Sequence, residues 1–95
     1  MLSSQRERIN QIDQQLVQLF EQRMQVAAEV AQIKHEHGLP ILDAQREALV
    51  YDRTAGYLAN QAFAPALHQV YDALMAVSRA YQHELVEQWQ QNELK

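Results

Sequence analysis

The chain contains no cysteine, only two glycines and only two prolines in 95 residues. Without cysteine, disulfides and thiolate chemistry are both excluded. With so few glycines and prolines, and abundant Gln, Ala, Leu and Glu, helix is favoured throughout. Basic residues are also scarce, 8 against 12 acidic ones for a net charge of -4. A general nucleic-acid binder would normally present a basic face, so no nucleic-acid partner is expected. No stretch approaches the apolar length of a membrane span, and the polar segment MLSSQRERINQID has no signal-peptide core. The expectation is a single cytoplasmic domain over residues 1–95 with no membrane contact.

What is present is hydrophobic periodicity. In the first segment Ile9, Ile12, Leu16, Leu19, Val26, Val30 and Ile33 alternate at spacings of three and four. That is the seam of a helix packed lengthwise on another helix. Ser3 or Ser4 can cap it, and Gly38-Leu39-Pro40 ends it. A helix over about 4–37 is roughly 50 Å long, whereas a compact chain of this size is roughly 30 Å across. The helix must overhang its own subunit, and a two-fold dimer is the simplest closed way to cover its seam. Asp43 can cap a second helix over about 44–60. Pro65 suits the first turn of a third, over about 65–90, with polar residues fraying beyond it. The fold class is therefore all-α: three helices per subunit, intertwined as a homodimeric bundle.

Position 23 of the seam should be apolar, and it is Arg23. A buried guanidinium needs an anionic partner, either a carboxylate on a neighbouring helix or a bound ligand. Lys34 lies eleven residues on, on the same face and about 16 Å along the axis, so both could lean toward one small anion. Arg6 is about 25 Å from Arg23 along the helix, too far for both to grip one small molecule within a chain. From an antiparallel partner chain Arg6 could reach it; otherwise it is a solvated residue near a helix end. Asp43 and Glu47 share a face in the first turn of the second helix, with Arg46 between them, a pattern that simple capping also produces. Ser78 and Gln82 share a face of the third helix and could simply reach solvent or a backbone carbonyl. The four histidines show no i, i+3 or i+4 pairing, so they are expected to be solvated and no metal site is expected. With no phosphate loop and no nucleophile–base pair, any chemistry here needs little acid–base help.

These pieces have a collective match. Arg6-Glu7-Arg8-Ile9, Ile12-Asp13-Gln14-Gln15-Leu16, Glu21-Gln22-Arg23, Ile33-Lys34, Gly38-Leu39-Pro40-Ile41, Asp43-Ala44-Gln45-Arg46-Glu47 and Ser78-Arg79-Ala80-Tyr81-Gln82 occur in order. Over nearly its whole length the chain resembles the helical class of chorismate mutases. The resemblance implies a homodimer with two sites, each completed by the neighbour's Arg6, converting chorismate to prephenate for phenylalanine and tyrosine biosynthesis. It implies no cofactor. By the same resemblance Arg6 and Arg23 hold the substrate carboxylates, Lys34 and Gln82 face the ether oxygen, and Ser78 contacts a carboxylate. Glu47 and the backbone around Asp43 bind the ring hydroxyl, with Arg46 supporting the acids from behind. Two rivals stay open: a related isochorismate pyruvate-lyase, against which Glu47 speaks, and a silent helical dimerisation or regulatory module. A regulatory partner enzyme is left unassigned.

Overall fold

The computed structural model describes residues 1–94. Helix α1 spans Ser3–Glu36, α2 spans Ala44–Gly56, and α3 spans Ala64–Glu93 after a single 3-10 turn at Gln61–Phe63. There is no strand among the described residues, so the expected all-α class holds.

The long first helix is there, and it does overhang. The molecule measures 59 × 28 × 15 Å with a radius of gyration of 16.9 Å. A compact chain of this length would have a radius near 12 Å. Every residue from 1 to 22 is exposed, including Ile9, Ile12, Leu16, Leu19 and Phe20. The N-terminal part of α1 therefore buries nothing in its own protomer.

Packing within the protomer uses a different stripe from the seam. Ala27 and Ala31 are the buried residues of α1, and Met75, Ser78 and Gln82 are those of α3. The two alanines sit four apart on one face, and their small side chains let α3 approach closely. Ile41, in the connection to α2, completes the buried apolar set. Val26, Val30 and Ile33 of the seam remain exposed. The seam and the internal face thus lie side by side on one helix.

Several boundaries differ from expectation. Helix α1 starts at Ser3 with Leu2 as its cap and no side-chain cap bond, so neither serine serves. Helix α2 was expected to reach Asn60 and stops at Gly56. Gly56 is a poor helix former, and beyond it the Gln61 side chain donates to the carbonyls of Ala55 and Leu58, at 2.9 and 3.2 Å. Asn60 instead caps the 3-10 turn by accepting from the Ala62 amide. Helix α3 runs to Glu93 rather than fraying after Gln90. His35 at the end of α1 bonds Glu93 at 2.8 Å and lies 5.8 Å from the Trp89 ring, tying the two helix ends together. His35 is therefore not the solvated residue expected, and His68 is stacked on Tyr51 at 4.1 Å.

Candidate active site

A cavity of about 500 Å³ opens between the three helices. Of the eight residues singled out from the sequence, seven line it: Arg23, Lys34, Asp43, Arg46, Glu47, Ser78 and Gln82. Arg6 is absent from its walls and lies exposed near the far end of α1.

Lys34 is placed by the way α1 ends. Gly38 adopts φ +65°, a conformation that costs a residue with a Cβ. The Gly38 amide bonds the His35 carbonyl at 3.3 Å and the Leu39 amide bonds the Lys34 carbonyl at 2.8 Å, the paired bonds of a Schellman stop. The chain then turns back so that the buried Ile41 offers its carbonyl to Lys34 Nζ at 2.7 Å. An ammonium has three donors, so one bond anchors it and two stay available to the cavity.

Arg23 lies on the same face of α1 as Lys34, on the side that packs toward α3 rather than within the outer seam. Its guanidinium stands 5.9 Å over the Tyr71 ring, a cation–π contact. Among the described residues it forms no salt bridge, so the carboxylate partner weighed from the sequence is not found within the protomer.

On α2, Asp43 accepts from the Arg46 amide at 3.0 Å and caps the helix. Glu47, one turn on, is gripped from α3: Arg79 Nη1 donates to both of its carboxylate oxygens, at 2.6 Å to Oε2. Arg46, expected behind the acids, instead borders the cavity itself; it is exposed and gives the acids only its backbone amide. Arg79 was missed as an individual residue. Its one sequence signal was a cation next to Ser78, and nothing in the spacing pairs it with a residue 32 positions earlier.

On α3, Ser78 and Gln82 are both buried, and Gln82 Nε2 donates to Ser78 Oγ at 3.1 Å. Gln82 Oε1 is buried with no hydrogen-bond partner among the described residues. Outside the cavity, Tyr51 donates to Asp72 and ties α2 to α3. That bond is the main reason the phenol is held above its ordinary value of 10.0.

The cavity therefore offers three things: cations on α1, a paired carboxylate on α2, and a buried amide on α3. The family model for chorismate mutase type II matches residues 5–83. The chain belongs to the chorismate mutase type II family. It is similar to a chorismate mutase of Methanocaldococcus jannaschii, 42% identical over 48 residues, or 50% of this chain and 48% of that protein. It is also similar to the T-protein of Haemophilus influenzae, 43% identical over 42 residues, or 44% of this chain and 11% of that protein. The matched part thus spans about half of the first relative and a small fraction of the second. No solved structure matches the chain significantly. The matched span runs from Gln5 to His83, so it takes in Arg6 and every residue that lines the cavity. Leu19, Val26 and Val30 of the seam border the cavity and are themselves exposed.

Proposed function

We propose that the chain converts chorismate to prephenate in a homodimer whose two sites each take Arg6 from the other protomer. One observation carries the reading: Arg23, Lys34, Glu47, Ser78 and Gln82 face a single cavity in a type II domain, beside a seam left uncovered. The seven-residue seam supports the dimer. Burying one large aliphatic side chain contributes about 1.5–3 kcal/mol, and a two-fold axis counts each residue twice. An antiparallel crossing of two α1 helices covers that seam, and in it Arg6 of one copy can approach Arg23 and Lys34 of the other.

The rearrangement is a unimolecular shift in which one C–O bond breaks as one C–C bond forms. It needs neither proton transfer nor a covalent intermediate, so the demands on the site are positional and electrostatic. Arg23 and the partner's Arg6 clamp the two carboxylates and hold the side chain over the ring. Glu47 and the backbone around Asp43 take the ring hydroxyl, and Ser78 contacts a carboxylate. Lys34 and Gln82 donate to the ether oxygen, where negative charge gathers as the bond breaks. The buried, unpartnered Oε1 fits this role. Turned through 180°, the Gln82 amide accepts from the Ser78 hydroxyl and places its NH2 donors at the position now left unpartnered.

The test is the loss of chorismate's diene absorbance on mixing with the protein. Lys34→Ala is expected to lower kcat about 100- to 1,000-fold, the usual effect of removing one preorganised donor, while leaving the quaternary state intact. Near-wild-type turnover in that variant removes Lys34 from the mechanism.

A further inference from the structure

The cavity proposed to bind a dianion has two carboxylates in its wall, Asp43 and Glu47. Asp43 is committed to capping α2. Glu47 is only partly exposed, and an unpaired charge there would repel the substrate's carboxylates in a site where water screens incompletely. Arg79 stands against it, crossing from α3 to α2 and directing one guanidinium nitrogen to both carboxylate oxygens. Its side chain keeps 32% of its exposure and that of Glu47 23%, so the pair is too wet to contribute much to stability. Arg79 also borders the cavity itself, one residue from Ser78 and three from Gln82.

We propose that Arg79 is a positioning residue that acts through Glu47. It neutralises the Glu47 carboxylate toward the incoming dianion and fixes which oxygen edge faces the ring hydroxyl. A neutral group at position 79 leaves the geometry of α3 unchanged but restores the repulsion. A lysine keeps the charge while losing the planar fork. The inference rests on the chorismate reading above and adds a specificity element to that site.

The experiment measures kcat and KM for chorismate in the wild type, Arg79→Gln, Arg79→Lys, Glu47→Gln and the double variant Arg79→Gln/Glu47→Gln, with Tm recorded for each. Arg79→Gln is expected to raise KM about tenfold, the size of one incompletely screened charge pair, with kcat changed less than about threefold. Arg79→Lys is expected to recover most of that loss. In the Glu47→Gln background the carboxylate that Arg79 orients is gone and only its own attraction for the dianion remains, so Arg79→Gln is expected to shift KM clearly less, about threefold. If Glu47→Gln turns over too slowly for KM, the prephenate dissociation constant measured by calorimetry follows the same pattern. An equal rise in KM in both backgrounds overturns the inference, since Arg79 then acts on the substrate independently of Glu47. A fall in Tm with KM unchanged also overturns it, since the pair is then only a clasp between helices. Absence of turnover in the wild type overturns the chorismate reading and this inference together.

Discussion

At the scale of single residues, the site divides by how each side chain is held. Lys34 is fixed by one short bond to the Ile41 carbonyl, itself set by the glycine stop at Gly38. Gln82 is fixed by burial and by Ser78. An amide donates at every ordinary pH, whereas a carboxyl group donates only when protonated. The expected kcat/KM profile is therefore flat from about pH 6 to 8. Gln82→Glu is expected to lose activity at neutral pH and to regain it progressively on acidification. A steep acid-side rise in the unsubstituted enzyme would count against Gln82 as the neutral donor. Much of this was legible in the sequence, because Arg23 and Lys34 share a helical face and Ser78 and Gln82 share another. The Glu47–Arg79 pair was not, because helical spacing relates residues within one helix and gives no register between α2 and α3.

At the scale of elements, local chemistry fixed the beginnings and ends that carry strong signals. Asp43 caps α2 and Gly38 stops α1, both as the residue types require. The end of α2 is set locally, by Gly56 and by the Gln61 side chain that closes the turn after it, whereas a tertiary partner, His35 against Trp89 and Glu93, holds the last turn of α3. The placement of Arg23 is instructive. Along the sequence it reads as a fault in the outer seam, but α1 has two adjacent working faces, and the residue serves the inner one. The clasp between α2 and α3 can be tested through Tyr51. Its hydrogen bond to Asp72 raises the phenol's pKa in the folded state, so the protonated phenol is favoured by folding. The stabilisation is present below the unfolded value of about 10 and is lost as pH rises through the higher folded one. Tyr51→Phe is expected to melt below the wild type at neutral pH, with the gap in Tm closing above about pH 10. A gap that persists unchanged in alkali would show that the bond is not what the hydroxyl contributes.

At the scale of the whole molecule, the chain buries little and exposes much. Its buried apolar set is Ala27, Ala31, Ile41 and Met75 among the described residues, while the long seam of α1 faces outward. In the proposed dimer a second copy covers that seam and brings its Arg6 to the cavity. Mixing two disabled variants tests that arrangement most directly. Arg6→Ala and Lys34→Ala are each expected to be nearly inactive alone. When the two are exchanged into mixed dimers at equal amounts, half the dimers are heterodimers, and each of these rebuilds one intact site from the complementary chains. Activity is expected to return to about a quarter of the wild-type level. If the mixture stays as inactive as its components, the sites are not shared between protomers and the proposed architecture is wrong.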